Sequence, residues 1–135
     1  MLVVDASIAL TWFFEDEITA ATTAIEGRVD SEGAFVPAIW RLEVANALLT
    51  AERRGRLEKS RVEECLALIA DLPIVIGVDS GKQSWADTLL LARAERLTSY
   101  DAAYLELAIR LDADLASLDR DLRRAAQNMG VSVVP

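Results

Sequence analysis

The sequence predicts an α/β fold, a three-layer α/β/α sandwich around a small central parallel sheet. Short apolar runs alternate with longer segments of helical periodicity along the whole chain. The runs are continuously apolar rather than alternating, which is typical of parallel strands covered by helices on both faces. The 135 residues suit a single domain over 1–135 and are too few for two independent cores.

The apolar runs place five strands in this fold, since each is short and rich in Val, Ile, Leu or Ala. They are predicted at 2–4, 34–36, 73–78, 114–118 and 131–134. The periodic segments between them predict helices at 6–13, 15–27, 38–54, 60–72, 81–96, 100–112 and 119–129. Among their apolar residues, Trp12-Phe13-Phe14, Trp40 and Cys65 are expected to pack in the core, the aromatic ones alternatively at a subunit interface.

Two absences restrict the chemistry. The chain has no histidine and a single cysteine, Cys65, which excludes Ser-His-Asp and Cys-His mechanisms and histidine- or thiolate-ligated metal sites. A lone cysteine fits a reducing cytoplasm.

No apolar run is long enough to span a membrane, and the start Met1–Asp5 does not resemble a signal peptide. The net charge of −8 argues, taken alone, against nucleic acid as a partner.

Acidic residues fall where a ligand of a parallel sheet binds, beyond the carboxyl ends of the strands. Asp5 follows the first predicted strand, Asp119 follows the fourth, and Asp101 lies at the start of a helix. Each of these acids has a structural explanation as a helix cap, and the same applies to the hydroxyls of Ser7, Ser99 and Ser117. Capping explains the position of an acid, but it does not explain which way the side chain points.

Two acids are predicted to point toward the protein interior. Asp101 shares a helix face with Tyr104, Leu105 and Ala108, whereas Glu106 and Arg110 are expected on the opposite side. The predicted helix 38–54 is apolar almost all round, as a buried helix is, apart from a narrow polar stripe. That stripe consists of Glu43, Asn46 and Thr50.

A carboxylate at such a buried position needs a partner. For Glu43 the alternatives are a structural arginine, such as Arg41, or a metal ion. If Asp5, Glu43, Asp101 and Asp119 converge, each pair of charges about 5 Å apart repels by roughly 3 kcal/mol. The group would then take up protons or bind a cation. Oxygen ligands without His or Cys select Mg²⁺ or Mn²⁺.

Four motifs together resemble the PIN-domain family, and their order, spacing and length are most similar to VapC-type toxins of toxin–antitoxin pairs. They are Leu2-Val-Val-Asp-Ala-Ser-Ile-Ala-Leu10, Glu43-Val-Ala-Asn46, Ser99-Tyr-Asp-Ala-Ala-Tyr-Leu-Glu-Leu-Ala108 and Leu115-Ala-Ser-Leu-Asp-Arg-Asp-Leu122. The resemblance extends from residue 1 to the end of the chain.

The resemblance implies a Mg²⁺- or Mn²⁺-dependent endoribonuclease. Its catalytic and metal-ligating acids would be Asp5, Glu43, Asp101 and Asp119. Ser7, Asn46 and Ser117 would lie beside these acids, and Ser117 stands where the family often has Thr. Asp121 would be a further ligand or a supporting acid. The implied partners are RNA, a cognate antitoxin and a second copy of the chain, with no membrane.

The segment 52–61 bears on how RNA would be held, because it carries five basic and two acidic residues. Its arginines, Arg53, Arg54 and Arg56 among them, either form a solvated helix end or grip the RNA backbone. A second function remains open for the whole chain: a PIN-like fold that binds RNA or protein without catalysis.

Overall fold

The computed structural model describes residues 1–78 and 81–135, with every side chain in these ranges except that of Gln83. Five strands form one parallel sheet in the order β3-β2-β1-β4-β5. The strands are β1 (Leu2–Val4), β2 (Ala34–Val36), β3 (Ile74–Ile76), β4 (Asp114–Ala116) and β5 (Val133–Val134). The predicted α/β/α class is confirmed, and all five predicted strands are found, three of them shorter than expected.

Helices flank this sheet. In the described ranges they are α1 (Ala6–Thr11), α2 (Ala20–Glu32), α3 (Ile39–Arg53), α4 (Lys59–Asp71), α5 (Lys82–Glu95), α6 (Ser99–Leu111) and α7 (Arg120–Asn128), with one 3₁₀ turn at Glu15–Glu17. Helix α6 packs on β1 and β4, α5 packs along α6, and α1 packs against α2 and α3. None of these described helices is long and apolar enough to cross a bilayer.

The strand order places a topological switch at β1. The chain leaves β1 toward β2 on one side, whereas β4 pairs with β1 on the other. In open parallel sheets, ligands bind outside the carboxyl ends of the strands at such a switch point. The residues that follow β1 and β4 therefore occupy the position where this fold class forms its sites.

Helix α2 differs from the prediction of 15–27. It starts at Ala20 because Thr19 and Thr22 form a reciprocal capping box, in which each hydroxyl accepts the amide proton of the other residue. It ends at Glu32 because Gly33 adopts a φ of 75°, a left-handed conformation that favours glycine. The acidic residues 15–17 form the separate 3₁₀ turn.

Helix α3 is buried on one face, so the prediction of a helix buried all round was wrong. Trp40, Val44 and Leu48 are buried, whereas Leu42 is 67% exposed. The buried face contacts α1 and α4, whereas Leu42 on the other face is exposed to solvent. Apolar composition alone did not distinguish a buried helix from a half-exposed one.

Helix α6 is covered on more sides than predicted. Glu106, expected on the exposed side, is only 6% exposed because α5 packs along that side of the helix. Arg110 Nε donates to Glu106 Oε1 at 2.7 Å, so the buried carboxylate is paired. The aromatic residues of 12–14, Trp40 and Cys65 are buried, as the core prediction required.

Candidate active site

Asp5 is placed by the end of β1 at the centre of the sheet. Its amide donates to Ala116 O of β4 at 2.9 Å, and the residue is only 5% exposed. Asp5 occupies the N-cap position of α1, but its carboxylate makes no capping hydrogen bond. The hydroxyls of Ser7 and Ser117 instead donate to Asp5 Oδ2, each at 2.7 Å. Capping therefore does not account for this acid.

The same two hydroxyls fix the loop after β4. The buried Ser117 Oγ accepts the amide proton of Asp119 at 3.0 Å, and Ser7 Oγ accepts that of Leu118 at 3.0 Å. Each serine thus joins Asp5 to the loop that carries Asp119. Neither serine is a helix cap, contrary to the alternative that the sequence allowed.

Asp119 is the residue that caps α7. Its Oδ1 accepts the amide proton of Leu122 at 2.8 Å, and the side chain is exposed. Its negative charge also raises the pKa of Asp5 and that of Asp101. Asp119 therefore combines the capping role with a contribution to the charge of the site.

Asp101 is the third residue of α6. Thr98, not Ser99, is the N-cap: its hydroxyl accepts the amide proton of Asp101 at 3.1 Å. The N-cap of α6 is therefore the Thr98 hydroxyl and not the Asp101 carboxylate. The pKa of Asp101 is raised from 3.8 to about 6, chiefly by burial and then by the negative charges of Asp119, Asp5 and Glu43. Asp101 therefore lies within the electrostatic reach of all three other acids.

Glu43 lies on α3, half-buried, and is hydrogen-bonded by the Tyr104 hydroxyl of α6. Neither Arg41 nor any other arginine of the described chain pairs with it. Burial raises the pKa of Glu43, the bond from Tyr104 lowers it, and the charge of Asp5 raises it. Burial and the Glu43 contact also raise the pKa of Tyr104, which keeps that phenol a donor.

Asp5, Glu43, Asp101 and Asp119 thus form a group of acids that no cationic side chain of the described residues pairs with. Within 1–78 and 81–135, none of the four belongs to an ion pair. Burial raises the pKa of Asp5, the serine hydroxyls oppose that effect, and the charge of Asp119 adds to it. No three acids of the described chain are placed to hold one ion by themselves. The four acids therefore interact through their charges, but they do not form a complete set of metal ligands by themselves.

Other predicted residues lie around this group with different partners. Asn46 is exposed on α3, one turn beyond Glu43. Asp121 is exposed and pairs with Arg124 at 2.7 Å. The charge of Asp121 is not among those that raise the pKa of Asp101.

The arginines of 52–61 also differ from one another. Arg56 pairs with Asp16 at 2.9 Å and lies 4.0 Å from the centroid of the Phe14 ring. Its guanidinium is therefore held against the protein surface in this structure. Arg53 and Arg54 are exposed, and neither is part of an ion pair in the described ranges.

A groove of about 670 Å³ borders the acids. Residues of α1, the 3₁₀ turn and α3 line it, and it touches the acidic site through Ser7 and Leu118. Arg54 and Arg56 contribute to its wall. The groove thus runs from the ends of β1 and β4 to the basic segment, residues 52–61.

The sequence interpretation missed two residues of the site, Thr98 and Tyr104. Thr98 stands three residues before Asp101, the spacing at which an N-cap hydroxyl meets the N3 amide, so the cap was recognisable. Tyr104 was assigned to the core face of its helix. A buried tyrosine hydroxyl usually has a hydrogen-bond partner, and that requirement was the available signal.

Comparison with known proteins identifies the family. A family model described as PIN domain matches residues 2–128. The chain belongs to the PIN-domain family. This PIN-domain protein is 33% identical over 122 residues to Ribonuclease VapC3 of Pyrobaculum aerophilum, covering 90% of this chain and 91% of that relative. The resemblance drawn from the four sequence motifs is confirmed.

Two solved structures share the fold of this PIN-domain protein. The crystal structure of PAE2754 from Pyrobaculum aerophilum matches with a TM-score of 0.70 at 20% identity, covering 98% of this chain and 88% of that one. The crystal structure of FitAcB from Neisseria gonorrhoeae matches with a TM-score of 0.69 at 13% identity, covering 100% and 97%. At these low identities, the two likenesses show that the fold is shared.

Proposed function

We propose that this PIN-domain protein is a Mg²⁺- or Mn²⁺-dependent endoribonuclease, a single nuclease domain over 1–135 that acts as the toxin of a toxin–antitoxin pair. The observation that carries the proposal is the group of acids around Asp101. Burial and the charges of three other acids raise the pKa of Asp101, and no arginine of the described chain forms an ion pair with the group. A group of this kind attracts a divalent cation. The relative named as a ribonuclease supports RNA as the substrate.

The donor set fits a hard cation. Asp5, Asp101, Asp119 and Glu43 offer carboxylate oxygens, and the hydroxyls of Ser7 and Ser117 support Asp5. Mg²⁺ is commonly bound through one or two carboxylates, with water and substrate phosphate oxygens completing its shell. A site without three converging acids therefore suits this ion. When bound, it would neutralise phosphate charge and lower the pKa of an attacking water.

The residues of the chain divide the remaining work. Ser7 and Ser117 donate to one oxygen of Asp5, which fixes the carboxylate and favours its charged form. Asp119 is held at the start of α7 by its capping bond. Glu43, with a raised pKa and one oxygen bonded to Tyr104, is suited to orient water or accept its proton, a task that falls to a carboxylate since histidine is absent.

RNA would approach this acidic protein through local features. A bound divalent cation would offset part of the negative charge of the acids and attract phosphate, and Arg54, which has no ion-pair partner among the described residues, lines the groove. These features support binding of a phosphate backbone, and the family resemblance supports single-stranded or looped RNA as the substrate.

The proposed protein partners are a cognate antitoxin and a second copy of the chain. Their support is the family resemblance together with exposed apolar side chains such as Leu42 on α3 and Trp85 on α5. The proposed compartment is the cytoplasm, where RNA substrates are found and Cys65 would stay reduced. Light scattering on the purified chain, alone and co-expressed with any short DNA-binding protein found to be encoded beside it, tests both partners.

The decisive test of the activity is cleavage of labelled RNA by the purified protein. We expect cleavage with Mg²⁺ or Mn²⁺, none with EDTA, and a loss of at least a hundredfold in Asp101→Asn. Asp71→Asn is the matched control, because Asp71 is an exposed acid at the end of α4. Cleavage that survives EDTA or Asp101→Asn contradicts the proposal. Tight RNA binding without cleavage would favour the non-catalytic binding module.

A further inference from the structure

Tyr104 connects two helices that carry acids of the site. It lies on α6 three residues after Asp101, so the two side chains share one face of the helix. Its ring is fully buried, and its hydroxyl donates to Glu43 Oε1 on α3. The contact bridges residues 61 positions apart.

The contact is specific for the hydroxyl group. Phenylalanine would fill the same space in the core, so the buried ring does not explain the phenol oxygen. Any buried acceptor, such as a backbone carbonyl, would satisfy that hydroxyl. The acceptor is instead an acid whose charge raises the pKa of Asp101.

Glu43 depends on this contact for its orientation. The bond from Tyr104 is its one side-chain hydrogen bond within the described chain. A glutamate side chain is long and loses substantial rotamer freedom when it is fixed. Without the phenol, the half-exposed carboxylate would be free to swing toward solvent and away from the other three acids.

We infer that Tyr104 is a positioning residue whose hydroxyl holds the Glu43 carboxylate toward Asp5 and Asp101, where a divalent cation would be bound. The inference rests on the proposed function. Residues that orient metal ligands through hydrogen bonds commonly change metal affinity or activity by 10- to 100-fold when they are removed. Tyr104 would act through Glu43, without touching the ion or the RNA.

The test uses Tyr104→Phe with Tyr100→Phe as control. The chain has only these two tyrosines, both on α6, and Tyr100 is exposed. Mn²⁺ binding to the full chain is measured by calorimetry, and RNA cleavage is measured separately as kcat and KM. We expect Tyr104→Phe to weaken Mn²⁺ binding and lower kcat by roughly 10-fold or more, with KM for RNA nearly unchanged. Tyr100→Phe should match the wild type.

A double-mutant cycle with Glu43→Ala separates positioning from a general packing role. If Tyr104 acts through Glu43, Tyr104→Phe has no further effect on Mn²⁺ affinity or kcat in the Glu43→Ala background. Equal losses in both backgrounds would overturn the inference. So would wild-type Mn²⁺ affinity and kcat in Tyr104→Phe, a result that leaves the proposed nuclease function intact.

Glu43→Asp gives a second route that keeps Tyr104 in the core. Aspartate retains the charge but is one methylene shorter, so it draws the carboxylate away from the phenol. We expect Glu43→Asp to weaken Mn²⁺ binding by roughly 10-fold or more, the loss also expected for Tyr104→Phe. This measurement remains available if Tyr104→Phe does not fold. Wild-type affinity in Glu43→Asp would overturn the inference. A wild-type chain that neither binds Mn²⁺ nor cleaves RNA would reject the proposed function, and the inference with it.

Discussion

Ser117 Oγ lies 2.7 Å from Asp5 Oδ2, which joins two residues 112 positions apart. Because β1 and β4 are adjacent and parallel, the residues that follow them meet at one edge of the sheet. The serine hydroxyl donates to the acid and accepts the amide proton of Asp119. One buried hydroxyl thus orders an acid on each of two strand ends.

Removing that hydroxyl should reduce both stability and activity. Ser117→Ala leaves the Asp119 amide without this acceptor and takes one of two donors from Asp5, at a cost of about 1–3 kcal/mol in the free energy of unfolding. Urea denaturation measures this change. We expect RNA cleavage to fall about 10-fold or more. Ser132→Ala, at an exposed serine, is the control. A free energy of unfolding unchanged in Ser117→Ala would show that the network contributes nothing.

The metal-free protein should lose stability as the pH rises through the titration of Asp101. The folded-state pKa is about 6 against 3.8 for an ordinary aspartate, so the folded chain binds a proton that the unfolded chain has released. The stabilising contribution of the protonated form is complete below pH 4 and is lost as the pH rises toward 6 and beyond. The charges that oppose ionisation are those of Asp119, Asp5 and Glu43.

Asp101→Asn isolates this contribution. In EDTA, the variant should gain stability relative to the wild type as the pH rises from 4 to about 7, and the difference should then level off. Thermal unfolding at a series of pH values measures it. A difference that is constant with pH, or that decreases, would contradict the assigned coupling.

The fold and the positions of the acids follow from local sequence patterns. Continuous apolar strands and the acids that follow them sufficed to predict a parallel sheet with Asp5 and Asp119 at its carboxyl edge. Asp101 was predicted to face inward from helical periodicity alone, and the structure places it within reach of three other charges. Both inferences use spacing within one element, which the sequence shows directly.

Contacts between distant elements were not predictable in this way. Tyr104 bonds an acid 61 positions away, and Arg56 pairs with Asp16 across 40 positions. The burial of Glu106 depends on α5 packing against α6, which the periodicity of α6 alone does not specify. The exposure of Leu42 likewise depends on which helices reach α3. Each of these outcomes is decided by tertiary packing rather than by local pattern.

Divalent cations should stabilise the folded chain. An ion that binds only the folded state at about 100 times its Kd adds about 2.7 kcal/mol to the free energy of unfolding. We expect Mn²⁺ to raise the melting temperature of the wild type above pH 7, and to raise that of Asp101→Asn much less. KCl at matched ionic strength is the control for screening. Equal shifts in the two proteins would place Mn²⁺ binding away from Asp101.

The arginines of the basic segment should separate into two classes. Arg56 is paired with Asp16 and packed over Phe14, so Arg56→Ala should cost about 1 kcal/mol of folding free energy, the sum expected for an exposed ion pair and a cation–π contact. Arg54→Ala should leave stability unchanged and weaken RNA binding, with the slope of log K against log salt smaller by about one. Fluorescence anisotropy with labelled RNA at several salt concentrations, beside urea denaturation of each variant, distinguishes the classes.

Because Arg56 keeps its surface contacts in the folded protein, its removal should change the salt slope less than the removal of Arg54 does. An equal change of slope in both variants would show that RNA displaces Asp16 from Arg56 and that the two arginines grip the backbone together.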